Sequence, residues 1–259
     1  LENLLQRHFG HPAFRPGQRA VVEHISEGQN GLVVMPTGHG KSLCYQLPAL
    51  ARSGTTIVVS PLIALMKDQV DSLHKKGIAA TSINSSLSRD ERHERIQAMQ
   101  SGQYRLVYVA PERFNRSFME ALRRTEIGLF AIDEAHCISE WGHDFRPDYR
   151  NIRNVINEIN NKLPIIALTA TATPKVENDI LKNLQIENAS IFKSSFNRPN
   201  LFYEVRSKTE SVNNDLVKFI KNRIDKSGII YCLSRKKVEE INELLVLNDI
   251  KSVPYHAGL

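Results

Sequence analysis

Gly38, Gly40, Lys41 and Ser42 stand close together in Met35-Pro36-Thr37-Gly38-His39-Gly40-Lys41-Ser42. Without a Cβ, the two glycines let the backbone curl tightly around an approaching anion. The loop N–H groups and the N-terminus of a following helix then converge on one spot, which attracts phosphate. Lys41 is long enough to reach the β- and γ-phosphates of a nucleotide, and the Ser42 hydroxyl can hold Mg²⁺. Thr37, Gly38, His39, Gly40, Lys41 and Ser42 are therefore the candidate nucleotide contacts. The strict phosphate-loop pattern begins with Gly, where this chain has Met35, so an ordinary Gly-rich strand-to-helix turn is the alternative. The local order supports the phosphate reading, because the apolar run Leu32-Val33-Val34 leads in and Leu43-Cys44-Tyr45-Gln46-Leu47 follows as a helix start.

A second constellation supplies the partner such a loop needs. The apolar run Ile127–Ile132 ends at Asp133-Glu134-Ala135-His136. Asp133 is placed to hold Mg²⁺, and Glu134 to orient and deprotonate an attacking water, in a reaction whose catalysis is mostly positioning and charge stabilisation. A lone Asp-Glu is more often a solvated pair, but here it terminates a strand downstream of the glycine loop. The chemistry implied is nucleotide hydrolysis with ATP and Mg²⁺, with Glu134, Asp133 and Lys41 as the catalytic set.

The stretch Cys137–Tyr149 follows directly. Trp141, Phe145 and Tyr149 offer π-faces, while His143 and Arg146 offer donors and charge. Bases stack on such aromatics for roughly 1–3 kcal/mol each, without sequence preference. The alternative is core packing, since spacing in steps of four is one helix face. Gly142 and Pro147 inside the stretch argue for a loop. Opening one base-pair step costs roughly 1.4 kcal/mol, which stacking on a loop can match only once per grip. Repeated opening therefore needs a loop coupled to nucleotide turnover, and the position right after Glu134 suits that role.

The elements that must position these residues read as alternating strands and helices. Leu1–Phe9 is an amphipathic helix. Pro16 suits the first position of a helix carrying Val21, Val22 and Ile25, which Gly28 ends. Thr56–Val59 is a strand, and Ser60-Pro61 caps a helix with Leu62, Leu65, Met66 and Leu73 on one face. Ala79–Ile83 is a strand, Ser88-Arg89-Asp90-Glu91 a capping box opening a helix to about residue 100, Arg105–Val109 a strand, and Phe118–Leu122 helical. Ile152, Val155, Ile156 and Ile159 mark a helix. Pro164–Leu168 is a strand running into Thr169-Ala170-Thr171-Ala172, and Thr173-Pro174 starts the next helix. This alternation predicts an α/β fold, a parallel sheet with helices on both faces. Sites then lie beyond the carboxyl ends of the strands, where the glycine loop, the acidic tetrad and Thr169/Thr171 all fall.

The rhythm breaks over Ser194–Asn200, an expected interdomain linker. Beyond it, Leu201–Val205, Gly228–Cys232 and Ser252–Tyr255 read as strands, with helices over Val212–Ile224 and from Ser234.

With 259 residues the chain has room for one large domain or two of ordinary size, and 41% hydrophobic residues suffice for a core. A net charge of +6 permits a polyanionic partner without requiring one. No run reaches membrane-spanning length and no signal peptide is evident, so the expected compartment is intracellular. Cys44, Cys137 and Cys232 form no Cys-x-x-Cys pair, which argues against a zinc site or a disulfide framework. Cys44 and Cys137 read as small packed residues.

Several stretches together resemble the RecQ family of superfamily 2 DNA helicases. Asp133–His136 is a DEAH box. Phe14-Arg15-Pro16-Gly17-Gln18 resembles the family's motif 0, in which the Gln reads adenine and the Arg lies beside it, adding Arg15 and Gln18 to the nucleotide contacts. Met35–Ser42 matches the family's Met-Pro-Thr-Gly form of the loop, although many members carry a small residue where His39 stands. Ser60–Gln69 resembles motif Ia, and Tyr108–Arg113 a further DNA-side motif. Leu168–Thr173 resembles motif III, which would make Thr169 and Thr171 couple nucleotide state to DNA. Gly228–Glu240 and Tyr255–Leu259 resemble motif IV and its extension. Cys137–Tyr149 resembles the family's aromatic-rich loop, implying DNA-coupling roles for Trp141, His143, Phe145 and Arg146.

The resemblance implies a RecA-like domain over 1–195, a linker over 196–206, and the start of a second RecA-like domain over 207–259. It implies ATP-dependent 3′-to-5′ translocation on single-stranded DNA and unwinding of partial-duplex DNA in recombination and repair. The setting would be the cytoplasm and nucleoid of a bacterium or the nucleus of a eukaryote. Alternatives are an RNA helicase of the DEAD/DEAH type and a nucleotide-gated DNA-binding module without turnover. About sixty residues of the second domain are present, against the 100 or more typical of a domain. The family's arginine finger, worth roughly 10³–10⁵ in rate, has no counterpart here, so the chain alone is expected to hydrolyse ATP at near-background rates. Zinc and winged-helix modules typical of the family would lie beyond Leu259.

Overall fold

The computed structural model describes the chain except for residues 196, 198, 199, 209, 224 and 259. It divides into two compact units, Leu1–Arg198 and Pro199–Leu259. The first opens with helix α1 (Glu2–Leu4), which widens into a π-type segment over Leu5–Phe9, followed by α2 (Gln18–Ser26). Strands and helices then alternate: β1 (Gly31–Val34), α3 (Leu43–Ala51), β2 (Thr55–Val59), α4 (Ile63–His74), β3 (Ala80–Ile83), α5 (Arg89–Gln100) and β4 (Leu106–Val109). The series continues with α6 (Arg116–Arg123), β5 (Ile127–Ile132), α7 (Ile152–Asn160), β6 (Ile165–Thr169), α8 (Pro174–Leu184) and β7 (Ser190–Lys193).

Among the described residues the strands form one sheet in the order β3-β4-β2-β5-β6-β1-β7, every pair parallel. Alternate residues of each strand feed two cores. Val34, Ile57, Val107, Phe130 and Ile132 pack toward α5–α8. Val33, Val58, Tyr108, Ala131 and Leu168 pack toward α2–α4. Burial on both faces explains why these strands read as continuous apolar runs. The register aligns the carboxyl ends: Val34 lies opposite Thr169 and Val59 opposite Ile132. The loop at 35–42, the Asp133 turn and Thr169 thus emerge along one edge, as expected for an α/β sheet.

Local chemistry accounts for most helix starts. Ser88 and Glu91 form a reciprocal capping box, and Asn115, Thr173 and Ser234 cap α6, α8 and the helix over Arg235–Val246 through their side chains. Two expected starts are corrected. Pro16 precedes α2, which begins at Gln18 behind a left-handed Gly17, because the Gln18 side chain turns back to accept the Arg15 N–H at 2.9 Å. Ser60-Pro61 does not cap α4. That helix begins at Ile63 with Leu62 as its uncapped first flank, and the Ser60 hydroxyl is buried without a partner among the described residues.

The second unit holds α9 (Val212–Lys221) and α10 (Arg235–Val246). The expected strands over 201–205, 228–232 and 252–255 are not formed: these segments have no ladder partners among the described residues. Phe202, Val205 and Tyr231 are 88%, 99% and 91% exposed. β-propensity reflects packing on a pleated, half-buried surface and makes no strand without a neighbour to pair with. The end of the expected 212–224 helix and parts of the 194–200 linker lie outside the described residues. Strand β7, by contrast, was not foreseen. It is a mostly exposed edge strand beside β1, too polar to stand out. Among the described residues no helix is long and apolar enough to cross a membrane.

The approach of β5 to the end of α3 is tight enough to test. A Cβ on Gly128 would fall 2.0 Å from the Ser53 carbonyl oxygen, backbone that cannot swing aside. Gly128→Ala should lower unfolding free energy by about 2–3 kcal/mol, the scale of overpacking a close-packed interior. A urea midpoint unchanged from the parent chain would refute that contact.

Candidate functional site

Gly38 and Gly40 adopt φ of 83° and 79°, conformations natural only to glycine, and so give the 35–42 loop its curl. The loop is held from one side. Arg15 Nη1 donates to the Gly38 carbonyl at 2.6 Å, and Gln18 Nε2 donates to the His39 and Gly40 carbonyls at 3.2 and 3.1 Å. A trans peptide points its N–H opposite its C=O. Tying down the Gly38, His39 and Gly40 carbonyls therefore turns the N–H groups of His39, Gly40 and Lys41 the other way. His39 N–H meets the Pro36 carbonyl at 3.3 Å; among the described residues those of Gly40, Lys41 and Ser42 have no partner. Lys41 Nζ rests on the Met35 carbonyl at 3.1 Å. A Cβ at Gly40 would meet the end of the Gln18 side chain, which can move, so it is the positive φ that calls for glycine there. Unpartnered N–H groups beside an amine fit an anionic phosphate chain.

Asp133 and Glu134 follow β5. Asp133 is buried, and desolvation, then the neighbouring Glu134 carboxylate, push its pKa up to about 6, with Lys41 pulling the other way. A buried carboxylate whose main opposing charge is a single lysine fits a cation partner. Asp133 Oδ1 accepts the Glu134 N–H at 3.0 Å, and Tyr149 donates its hydroxyl to the Asp133 carbonyl at 3.1 Å. Glu134 itself has φ 49°, left-handed for a residue with a full side chain. Strain of this kind costs about 1–3 kcal/mol and concentrates at functional positions.

His136 ties the box to its surroundings. Its Nδ1 lies 3.0 Å from Thr169 Oγ1 and 3.3 Å from Glu134 Oε2. Thr169 Oγ1 already donates to the Thr171 carbonyl at 3.0 Å, so the histidine proton must sit on Nδ1. Burial drives the His136 pKa down to about 4, keeping the ring neutral. His143 stacks on it, ring centroids 4.2 Å apart and planes at 18°.

The loop after the box sorts its aromatics into two kinds. Trp141 is 62% exposed, with Lys175 Nζ 3.0 Å from its ring centroid, and Phe145 is half-buried under Arg150. Tyr149, read as a possible stacking face, is 1% exposed and belongs to the core; the packing alternative was right for it alone. Arg146 is anchored: it donates twice to Asp144 Oδ2, at 3.1 and 2.9 Å, and once to the Pro61 carbonyl at 3.1 Å.

The first unit thus brings together Lys41, Ser42, Asp133, Glu134, Thr169, Thr171 and the 141–146 loop. Sequence reasoning passed over His136 and Lys175 as individual actors, and read Tyr149 as a stacking face rather than as a core residue. The tetrad pointed to His136. Nothing in the pattern set Tyr149 apart from Trp141 and Phe145, since burial depends on which side of the 3₁₀ turn at Pro147–Asn151 faces the sheet.

Residues 15–180 match the DEAD/DEAH box helicase family model. The chain is 46% identical over 260 residues to the ATP-dependent DNA helicase RecQ of Bacillus subtilis (strain 168), covering 100% of this chain and 44% of that protein. It is 45% identical over 258 residues to the ATP-dependent DNA helicase RecQ of Haemophilus influenzae, covering 99% of this chain and 41% of that one. The chain therefore spans less than half the length of these relatives. Among solved structures, the DUF1998 helicase MrfA superposes with a TM-score of 0.66 at 20% identity, over 95% of this chain and 40% of that one, a likeness of fold. The chain belongs to the DEAD/DEAH box helicases, within them to the RecQ family, and its first unit has the RecA-like α/β fold.

The loop geometry gives a direct prediction. A Cβ on Gly142 would lie 2.4 Å from the His136 carbonyl oxygen and 3.1 Å from that of Ser139. Gly142→Ala must therefore lift the loop from the box. Trp141 is the chain's single tryptophan, so its fluorescence reports the loop directly. The variant should shift the emission maximum and the quenching by iodide, with little change in the urea midpoint; an identical emission spectrum would contradict the contact.

Proposed function

We propose that this RecQ-family chain is the ATP-binding core of a DNA helicase, coupling ATP hydrolysis to 3′-to-5′ movement on single-stranded DNA and opening of partial-duplex DNA in recombination and repair, inside the cell. One observation carries the reading. The glycine loop, with its unpartnered N–H groups, and the Asp133–Glu134 turn leave the sheet on the same edge as an exposed Trp141 that follows the same turn.

ATP would lie on Thr37–Ser42, its adenine beside Gln18 and Arg15, with Mg²⁺ held by Ser42 and Asp133; the bound nucleotide supplies the scissile phosphoanhydride and the metal the charge that lets it break. Lys41 would hold the phosphates by charge, leaving the Met35 carbonyl on which it rests. Glu134 orients the attacking water and takes its proton onto a carboxylate oxygen. His136, neutral and donating from Nδ1, keeps Glu134 and Thr169 in fixed relation, so that a change at Glu134 is felt at Thr171 and at the 141–146 loop. Trp141 and Phe145 offer faces to bases, and His143 presents a donor. Arg146, committed to Asp144 and Pro61, fixes the loop's path.

The nucleotide half is checked with Lys41→Ala and Glu134→Gln. Lys41→Ala should lose nucleotide binding with an unchanged circular dichroism spectrum. Glu134→Gln should bind a fluorescent ATP analogue normally and lose about 10²–10⁴-fold in turnover, the contribution of a positioned base. Undiminished DNA-stimulated turnover in Glu134→Gln would sink the assignment.

The coupling half is checked with Trp141→Ala in the longer protein. Nucleotide affinity and most DNA affinity should remain, since phosphate contacts dominate binding, while stimulation of ATP hydrolysis by single-stranded DNA is lost. Equal stimulation by RNA and DNA in the parent, or intact stimulation in the variant, would count against the DNA-coupled loop.

A further inference from the structure

A cluster beside the box joins His136 and Asp144 to Cys137, a thiol that mechanism leaves unused. Cys137 Sγ lies 3.8 Å from His136 Nε2 and 3.8 Å from Asp144 Oδ2. One donor atom from each of these three residues falls within 4.8 Å of the others. His136 and Cys137 are buried and Asp144 is half-buried. Four-coordinate zinc holds sulfur at about 2.3 Å and nitrogen or oxygen at about 2.0–2.2 Å. The cluster meets that geometry after a small inward movement of Asp144, which sits on the loop and not on the sheet.

The surroundings are those of a metal-binding set. A ligating histidine usually donates its second ring N–H to a carboxylate or another acceptor, which fixes the tautomer and raises the basicity of the ligating nitrogen. His136 does this: Nδ1–H serves Thr169 Oγ1 and Glu134 Oε2, leaving the Nε2 lone pair on the side of Cys137. Asp144 Oδ2, the oxygen that faces Cys137, is held in turn by two hydrogen bonds from Arg146. The thiolate and the carboxylate together balance a divalent charge, and a soft sulfur with imidazole and carboxylate selects zinc over magnesium.

We propose that His136, Cys137 and Asp144 form a binding site for a thiophilic divalent cation, Zn²⁺, with water in the fourth position, and that its occupation clamps the aromatic-rich loop to the DEAH box. On binding, the Cys137 S–H bond breaks, its proton goes to solvent, and the sulfur electron pair forms the metal bond; nothing is oxidised or reduced. Two ligands sit on the turn after β5 and the third on the loop. The bound ion therefore fixes the 137–144 span and opposes any loop movement that turnover requires. The site is independent of whether the chain hydrolyses ATP.

Cobalt(II) titration of the 259-residue chain, without nucleotide or DNA, tests this. The expected result is a one-to-one complex with a sulfur-to-cobalt charge-transfer band and the intense visible bands of four-coordinate cobalt, reversed by adding Zn²⁺. Cys137→Ser should abolish the charge-transfer band, and Asp144→Asn should weaken binding at least tenfold. A Cys44→Ser/Cys232→Ser double variant and Lys41→Ala should both keep the band. Cys137 is buried, so if its variant misfolds by circular dichroism, Asp144→Asn decides the matter. No band at saturating cobalt, a band that survives Cys137→Ser, or undiminished affinity in Asp144→Asn would overturn the site. Loss of nucleotide binding in Lys41→Ala with the band retained separates this proposal from the ATP reading.

Discussion

The single proton on His136 Nδ1 is what the rest of the site hangs from. It is placed there by elimination: Thr169 Oγ1 spends its own hydrogen on the Thr171 carbonyl and can only accept. The ring is buried and neutral, so its orientation is set by that one donor and by the His143 ring stacked on it. Three pieces of chain meet at this ring: the turn after β5, the end of β6 and the aromatic-rich loop. Fully satisfied buried networks are rigid, and breaking one member orphans the others. An apolar residue at 136 would leave the Thr169 hydroxyl and the Glu134 carboxylate without their common partner, and the loop without its stacking floor.

Charge is distributed around this ring so that nothing is at rest except in company. Asp133 is taken out of water next to a second carboxylate and answered only by the Glu134 N–H and then by Lys41, so its pKa climbs to about 6. Glu134 is held in a left-handed conformation whose cost must be met by the lattice beneath: Asp133 N–H on the Val59 carbonyl, the Tyr149 hydroxyl on the Asp133 carbonyl, and a fully buried β5 end. On the other side of the cleft, Arg15 and Gln18 organise the glycine loop through its carbonyls. The proposed function gives them a role toward the base of a nucleotide. The structure adds a role toward the loop itself, turning the Gly40 and Lys41 N–H groups away from α2.

The doubly buried strands and the two chemical motifs were legible in the sequence for a physical reason. A strand covered on both faces must be apolar throughout, and a phosphate loop must have glycine where φ is positive, so each leaves a mark at fixed positions. What was not legible depends on neighbours. Strand β7 exists because β1 offers it a ladder; its residues alone carry no period. The 201–205 and 228–232 runs have the composition of strands but no ladder among the described residues, and form no strand. Ser60 looks like a cap and is a buried hydroxyl, because the chain turns two residues later. Trp141, Phe145 and Tyr149 share one spacing, yet the sheet claims only Tyr149. Spacing gives the period of a segment, and only packing chooses its buried face.

The exposed Trp141 closes the argument on energy. In the structure its face is covered by the Lys175 ammonium, 3.0 Å from the centroid, on the first turn of α8 just after Thr169–Thr171. A cation over an exposed aromatic is worth about 0.5–1 kcal/mol, whereas a base stacked on the same face is worth roughly 1–3 kcal/mol. Under the proposed function a base would displace Lys175, since the stacking range begins where the cation range ends, and the displaced ammonium would meet a phosphate of the strand that supplied the base. The exchange would release the Lys175 contact on the first turn of α8, whose preceding segment carries the threonine that His136 holds. On that proposal, base capture at Trp141 is linked to the geometry at Glu134 through Lys175, the Thr169–Thr171 segment and His136, and the weak lysine contact keeps the aromatic face available without leaving it bare.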